Sequence, residues 1–251
     1  MAKSLPVLIF HTLDNQGSVI SFPPALFEHM IASMFKLGYR TISLSDAVEC
    51  LRRQVPFPER SFAITFDDGY RTVYTEAFRV LQEYGMSATV FLTVGTRVPT
   101  TVDDRLPGSL GRTMLYWREI QEMQRWGVEF GAHTLTHPDL TRLSSDEVEW
   151  EICESKATLE DALGAPVTCF AYPYGRYDER SYAVARRCFA SAYSDQLGLI
   201  TASSDSHALE RVDMYYFRSI YSFPLLGTRF FPWYVGLRAL GRRVRRGIAW
   251  R

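Results

Sequence analysis

Long hydrophobic runs are absent from this sequence of 251 residues. No stretch approaches the roughly 20 consecutive apolar residues that a membrane-spanning helix needs. The apolar run near the N-terminus stops at His11 and has no small-residue cleavage site after it, so it is too short for a secretory signal. The sequence therefore predicts a cytoplasmic protein, and the inner face of the cytoplasmic membrane is the second location that we consider.

Cysteine is scarce, and the spacing of the four cysteines excludes the common zinc and redox motifs, because no Cys-x-x-Cys pair occurs. Three of the cysteines fall in predicted helices and one falls in a predicted strand. We therefore expect buried free thiols. Internal repeats and low-complexity linkers are also absent, so the sequence pattern does not indicate a repeat array or a flexible tether.

A net excess of charge is missing too, but charge is distributed unevenly along the chain. Lysine and arginine number 28, and so do aspartate and glutamate. Residues 229–251 hold seven arginines and no acid, which leaves 21 basic against 28 acidic residues in the rest of the chain. We therefore divide the chain into an acidic body at 1–222 and a basic tail at 223–251.

Apolar, β-branched segments alternate with amphipathic segments through most of the chain. Helices are predicted at 24–37, 73–84, 116–126 and 145–163, and strands at 6–10, 40–44, 62–66, 88–94, 128–132, 167–171 and 191–193. This alternation favours a parallel α/β sheet, and the wholly apolar strands favour one that is covered on both faces or closed into a barrel. Residues 96–113 contain prolines and glycines and are predicted to form a surface loop or lid.

Reactive side chains follow four of the predicted strands. They are His11, the pair Asp67 and Asp68, His133, and the aromatic segment Tyr172-Pro173-Tyr174-Gly175. Because the carboxyl ends of the strands of a parallel barrel meet at one rim, we expect these groups to lie close together.

Two of these segments predict a metal site with a spare base. Asp67 and Asp68 point in different directions at a strand end, so one can bind a cation while the other stays free; taken alone, such a pair is typical of a solvated turn. His133 and His137 share a face if the segment is helical, and two imidazoles at that spacing can bind one metal. Buried or surface histidines at this spacing are also common without a metal.

Three segments of the chain resemble the first three signature motifs of the polysaccharide deacetylase family, the proteins with a NodB-homology domain that form carbohydrate esterase family 4. They are Thr65-Phe66-Asp67-Asp68-Gly69, His133-Thr134-Leu135-Thr136-His137 and Phe170-Ala171-Tyr172-Pro173-Tyr174-Gly175, in the expected order. The resemblance implies a distorted (β/α)7-8 TIM-like barrel. It also implies metal-dependent removal of an N-acetyl group from an amino sugar of a polysaccharide, an oligosaccharide or a lipid-linked glycan precursor.

The resemblance further implies a role for each site residue. Asp68, His133 and His137 would hold one divalent metal, and Asp67 would be the general base. The backbone amide of Tyr174 would help to bind the oxyanion. Two imidazoles and one carboxylate suit Zn²⁺, but they also suit Co²⁺, Ni²⁺ or Fe²⁺.

The chain departs from the family pattern at two places. Ala171 stands where many members have an arginine that orients the catalytic aspartate, and Arg211 is one candidate for the missing cation. No late Leu-x-His motif supplies a general acid, because His207 lies in a polar segment that is predicted to be a loop. A subgroup of the family has a first strand that ends in histidine, and this resemblance makes His11 the expected acid.

Two other functions use the same residues. A carbohydrate-binding protein descended from a deacetylase would explain Ala171 and the missing late histidine, but it would not need the spare base. A deformylase or amidase that acts on another small amide would need every group of the site.

The basic tail has one apolar face and one arginine-rich face. On a helical wheel the apolar face consists of Trp233, Leu237, Leu240, Val244 and Ile248, and the opposite face consists of Arg238, Arg242, Arg245 and Arg246. This pattern is typical of a helix that lies on an anionic membrane surface. A helix packed on its own acidic body and a nucleic-acid-binding tail are the alternatives; no nucleic-acid recognition motif accompanies the tail, so we expect no such partner.

Overall fold

The apolar segments form eight parallel strands in the structure, a computed structural model that describes residues 2–95, 101, 104–107, 111–218, 223–228 and 230–248, with the backbone alone for 241–248. The strands are β1 (Val7–Phe10), β2 (Arg40–Thr41), β3 (Ser61–Phe66), β4 (Thr89–Leu92), β5 (Glu129–Ala132), β6 (Cys169–Ala171), β7 (Ser191–Leu197) and β8 (Leu209–Asp213). Seven of them close into a barrel in the order β1, β8, β7, β6, β5, β4, β3, and β3 pairs again with β1. The short strand β2 pairs with the start of β3.

Helices surround the barrel and connect its strands. They are α1 (Pro24–Lys36), α2 (Leu44–Arg52), α3 (Arg79–Glu83), α4 (Trp117–Arg125), α5 (Ser145–Leu163), α6 (Glu179–Cys188) and α7 (Phe231–Ile248), with a π-helical segment at Val73–Phe78 directly before α3. Shorter elements are the 3-10 helices Leu140–Arg142, Pro173–Gly175, Met214–Phe217 and Phe223–Gly227, and the strand pairs Ser4–Leu5 with Ile200–Thr201 and Thr12–Leu13 with Ser21–Phe22. Among the described residues, no helix has the length and hydrophobicity to cross a bilayer.

Alternate residues of the strands face two separate apolar clusters. Val7, Ala63 and Phe91 belong to a small cluster that also includes residues of α2, whereas Leu8 and Ile64 belong to the large cluster beneath the helices. Side chains on successive strand residues point to opposite faces, so the small cluster fills the barrel and the large one fills the space between the barrel and its helices. Burial on both faces explains why the strands are apolar throughout.

Helix α5 begins and ends as its sequence predicts. The Ser144 side chain and the Glu147 side chain form the two halves of a capping box, and the chain leaves the helix at Gly164 with a left-handed φ of 62°. A residue with a Cβ is strained in that conformation, which is why glycine is favoured there.

The structure differs from the sequence-based assignment at three elements. Strand β8 was not predicted, because its central residue is the charged Arg211 and the segment lacks the apolar pattern of the other strands. The predicted helix at 73–84 begins as a π-helical segment. Most of the predicted loop at 96–113 lies outside the described residues.

Candidate functional site

The carboxyl ends of the strands form one cavity, and it brings together all six residues that the sequence singled out. The cavity has a volume of about 530 Å³, and its lining includes His11, Asp67, Asp68, His133, His137 and Tyr174. Three of these residues directly follow strands β1, β3 and β5, as expected for a site at the carboxyl rim of a parallel barrel.

Asp68, His133 and His137 form a compact group of metal-ligand atoms. One candidate ligand atom from each residue lies within 4.8 Å of the other two. The Oδ1 atom of Asp68 lies 3.5 Å from His133 Nε2 and 3.3 Å from His137 Nε2. Burial alone would raise the pKa of Asp68, but the two imidazoles lower it well below its ordinary value, so the carboxylate is charged.

The protonation of these groups fits a bound cation. His133 Nδ1 lies 2.7 Å from the backbone oxygen of Ala171, and a carbonyl oxygen can only accept, so Nδ1 carries the proton. In the neutral imidazole the lone pair of Nε2 then points to the Asp68 side of the ring. Asp68 Oδ1 is buried and has no hydrogen bond of good geometry. Lone pairs that converge without a proton between them repel, and a divalent metal relieves that repulsion.

A buried carboxylate of α5 holds the segment between the two histidines. Glu151 is 4% exposed. Its Oε2 accepts hydrogen bonds from the backbone N–H groups of Leu135 and Thr136 at 2.9 and 3.0 Å, and its Oε1 accepts one from the Thr136 hydroxyl at 2.5 Å. The His137 N–H donates to Thr134 Oγ1 at 2.9 Å, which closes the segment on itself. Sequence analysis missed Glu151, because a glutamate in a helix gives no sign of being buried.

Strained backbone is concentrated at this rim. Six described residues other than glycine have a positive φ, and four of them are Asp68, Thr134, His137 and Tyr174, with φ between 58° and 75°. The left-handed region is unfavourable for residues with a Cβ, and such strain persists where the surrounding contacts fix it. The histidine segment is therefore a tight turn with a defined shape and not the helical turn that the four-residue spacing suggested.

Asp67 is held by Arg211 in a buried, two-pronged ion pair. Arg211 Nη1 donates to Asp67 Oδ1 at 2.8 Å and Nη2 donates to Oδ2 at 2.9 Å. The Arg211 side chain is 1% exposed, and its Nε donates to the backbone oxygen of Ser194 at 3.0 Å. Arg211 on β8 thus supplies a cation beside the catalytic candidate, although Ala171 on β6 cannot.

This ion pair keeps Asp67 ionised. Burial by itself would raise the pKa of Asp67, but the guanidinium of Arg211, with smaller contributions from His133 and His11, holds it below its ordinary value. Each carboxylate oxygen can accept more than one hydrogen bond, so the pair with Arg211 leaves lone pairs available for a proton.

His11 and His207 have different surroundings. His11 follows β1 and lines the cavity. His207 does not line it: its Nδ1 lies 3.0 Å from Ser206 Oγ and its Nε2 lies 3.1 Å from the backbone oxygen of Phe189. His11 is therefore the one histidine in the lining that is not part of the Asp68 group.

The Tyr174 ring stands at the mouth of the cavity. It is 58% exposed and packs edge-on against His137, with ring centroids 4.7 Å apart. Its left-handed backbone lies in the 3-10 helix Pro173–Gly175, and Gly175 follows it without room for a side chain, because an added Cβ would lie 2.3 Å from the backbone nitrogen of Asp195. Sequence analysis missed five further lining residues, Val19, Asp195, Asp213, Tyr215 and Tyr216, which follow strands or lie in loops without a recognisable motif.

Comparisons with known proteins give one consistent family. The sequence model of the polysaccharide deacetylase family matches residues 54–191. Over 210 residues the chain is 28% identical to YxkH of Bacillus subtilis (strain 168), a match that covers 83% of this chain and 70% of that protein. Over 135 residues it is 33% identical to the poly-beta-1,6-N-acetyl-D-glucosamine N-deacetylase of Escherichia coli (strain K12), which covers 50% of this chain and only 20% of that much longer protein.

Solved structures share the fold. The deacetylase PplD of Streptococcus pyogenes, in complex with acetate, has a TM-score of 0.75 at 24% identity, with 85% of this chain and 93% of that chain covered. A polysaccharide deacetylase from Bacillus cereus has a TM-score of 0.74 at 25% identity, with 90% and 69% covered. These likenesses confirm the predicted barrel.

Proposed function

The chain belongs to the polysaccharide deacetylase family, and from that premise we propose that it hydrolyses the acetamide of an N-acetylated amino sugar within a glycan. The observation that carries the proposal is the separation of two kinds of carboxylate in one cavity. Asp68 shares its position with two imidazoles, whereas Asp67 is paired with Arg211 and stays outside the metal-ligand group. A protein that only bound a carbohydrate would not need the second carboxylate.

The residues of the Asp68 group fit a metal, and we assign them to hold it. A divalent ion bound by Asp68, His133 and His137 would polarise the acetyl carbonyl and make water a better nucleophile near neutral pH. Zn²⁺ suits these ligands, as Co²⁺, Ni²⁺ and Fe²⁺ do.

The remaining groups of the cavity divide the proton transfers between them. Asp67, kept ionised by Arg211, accepts the proton of the attacking water. The backbone N–H of Tyr174 donates to the oxyanion of the tetrahedral intermediate. His11 donates a proton to the leaving amine, so that acetate and a free amino sugar result. The acid and the base thus come from neighbouring strands, because β1 and β3 are paired in the barrel.

A second cavity supports a substrate longer than one sugar. It has a volume of about 340 Å³ and shares Tyr70 with the catalytic cavity. Its lining is polar: Thr12, Asp14, Gln16, Arg71, Thr72, Thr75, Arg112 and Thr113. Hydroxyl, amide and guanidinium groups are suitable hydrogen-bond partners for a neighbouring sugar. We therefore expect an oligosaccharide or polysaccharide substrate, in line with the polymer named in the description of the Escherichia coli relative.

A substrate panel tests this function. Protein loaded with Zn²⁺ or Co²⁺ is incubated with N-acetylglucosamine and with β-1,6- and β-1,4-linked oligomers of increasing length, and released acetate is measured. We expect acetate from the oligomers and a rate that rises with length. No acetate from any glycan would favour the carbohydrate-binding alternative, and acetate or formate from unrelated small amides alone would favour the amidase alternative.

We also propose that α7 places the protein on an anionic membrane surface. Phe231 and Val235 of this helix are buried against the barrel, but Trp233, Leu237 and Leu240 are 68%, 55% and 60% exposed. These three belong to the predicted apolar face, and residues 229–251 carry seven arginines and no acid. Part of the helix thus packs on its own body while an apolar patch beside basic residues stays exposed, as in helices that lie in a membrane interface. Such a location suits a lipid-linked or membrane-assembled glycan on the cytoplasmic side.

Vesicle co-sedimentation tests the membrane proposal. The full chain and the double variant Trp233→Ser/Leu237→Ser are mixed with vesicles of phosphatidylglycerol and phosphatidylcholine. Trp126→Ser is the matched control, since Trp126 is also exposed but lies far along the chain at the end of α4. We expect binding by the full chain and the control, and about tenfold weaker binding by the double variant. Equal binding by all three proteins would contradict the proposal.

A further inference from the structure

Two cysteines from neighbouring helices approach each other on the outside of the barrel. Cys153 lies in the middle of α5 and Cys188 is the last residue of α6. Their Sγ atoms are 2.9 Å apart. An S–S bond is about 2.05 Å long, so the two sulfur atoms need to approach by less than about 1 Å to form one. The expectation of isolated thiols therefore does not describe this pair.

The other two cysteines have no such neighbour among the described residues. Cys50 is partly buried on α2, and Cys169 is buried inside the barrel on β6. Burial raises the pKa of the Cys169 thiol above its ordinary range, so this thiol is inert. The chain thus contains one pair of cysteines placed for a reaction and two cysteines that serve as internal controls.

We propose that Cys153 and Cys188 are a disulfide site that ties α5 to α6 when the protein meets a small-molecule disulfide. One cysteine attacks a sulfur atom of the oxidant as a thiolate and releases one thiol. The second cysteine then attacks the mixed disulfide and releases the second thiol. Two electrons and two protons pass from the cysteine pair to the oxidant, which is reduced to two thiols.

The surroundings of the pair favour cross-linking over permanent modification of one thiol. Both cysteines are partly exposed, so an oxidant can reach them. Arg187 Nη2 lies 3.9 Å from Cys153 Sγ and also pairs with Glu149 of α5 at 2.6 Å, which holds the end of α6 against α5. Burial and the neighbouring thiol raise the pKa of Cys153 to about 11, so a mildly alkaline solution speeds the reaction.

The bond would tether the catalytic rim from outside the site. Cys188 lies just before the start of β7, and the starts of the strands are at the end of the barrel opposite the metal-ligand group. Cys153 is two residues from Glu151, which anchors the segment between His133 and His137. A cross-link between α5 and α6 therefore restrains the helix that supports this segment without touching the cavity.

The test is oxidation of the full chain with oxidised glutathione at about pH 9, followed by thiol counting in denaturant, intact mass and peptide mapping. We expect the four thiols of the reduced protein to fall to two, with a loss of mass equal to two hydrogen atoms and a peptide that links Cys153 to Cys188. Cys50→Ser should form the same link. Cys188→Ser should form none. Four remaining thiols, a link between other cysteines, or glutathione added separately to Cys153 and Cys188 would overturn the proposal.

Thermal unfolding gives an independent readout. Because the link closes a loop between two helices, the oxidised wild type should have a Tm about 3 °C or more above that of the reduced protein. The Tm of Cys153→Ser should be the same with and without oxidant. An unchanged Tm in the cross-linked wild type would contradict the tether, even if the bond itself forms.

Discussion

At the scale of single residues, the site depends on which cation accompanies which carboxylate. Asp67 has Arg211, and Asp68 has two imidazoles and the place of a metal. The sequence indicated both carboxylates, but the partner of Asp67 could not be assigned from it. Arg211 lies 144 residues further along the chain and reaches Asp67 only because the barrel closes through β8.

Replacing Arg211 tests the pairing. Without the guanidinium, burial is left to act alone and raises the pKa of Asp67, so the base becomes protonated at a higher pH. For Arg211→Met we expect the acidic limb of the kcat/KM profile to move to higher pH. Arg211→Lys keeps the charge but loses the two-pronged geometry, so its shift should be smaller.

The measurement is acetate release against pH for the three proteins, with metal content determined for each. Bound metal should stay close to the wild-type amount in both variants, because Arg211 does not contact the Asp68 group. An acidic limb at the same pH in all three proteins would show that Arg211 does not control Asp67.

At the scale of elements, the barrel strands and the long helices could be predicted, whereas the parts that shape the site could not. Strands such as β3 are apolar on both faces, and α5 carries end signals in its own sequence. Strand β8 lacks these signals because a buried arginine replaces an apolar residue. The turn at 133–137 depends on a contact with Glu151 from the following helix, which no local pattern indicates.

Glu151 links α5 to the metal-ligand turn, and its removal should affect metal binding before it affects the barrel. Glu151→Gln keeps the shape of the side chain, but its NH₂ group cannot accept a hydrogen bond from a backbone N–H. We expect about tenfold or greater loss of metal affinity, as is usual for residues that orient metal ligands. Glu154→Gln, an exposed position on the same helix, is the control and should bind metal normally.

Metal titration with a chelating indicator measures this effect, and circular dichroism reports whether the fold is kept. Wild-type affinity in Glu151→Gln would mean that the turn keeps its shape without this carboxylate.

At the scale of the whole molecule, the buried Asp67–Arg211 pair makes stability depend on acid. Asp67 has a lower pKa in the folded chain than its ordinary value of 3.8. Its contribution to stability is therefore fully present above about pH 4 and is lost as the pH falls through the lower, folded value. The wild type should lose unfolding free energy across this window.

Urea unfolding at a series of pH values, with metal removed, measures this dependence. Asp67→Asn cannot titrate, so its unfolding free energy should change less across the same window. It should also be about 3 kcal/mol less stable near neutral pH, because Arg211 is left buried without its partner. Parallel pH profiles for the two proteins would contradict a depressed pKa at Asp67.

The division of labour between Asp67 and the Asp68 group is tested most directly by measuring bound metal and acetate release together in Asp67→Asn and Asp68→Asn. We predict that Asp67→Asn binds one divalent metal per chain, as the wild type does, but releases acetate about 100-fold more slowly or worse. Asp68→Asn should lose both metal and activity, and the metal retained by Asp67→Asn shows that its fold is intact. Wild-type acetate release by Asp67→Asn, or full metal binding by Asp68→Asn, would contradict the account.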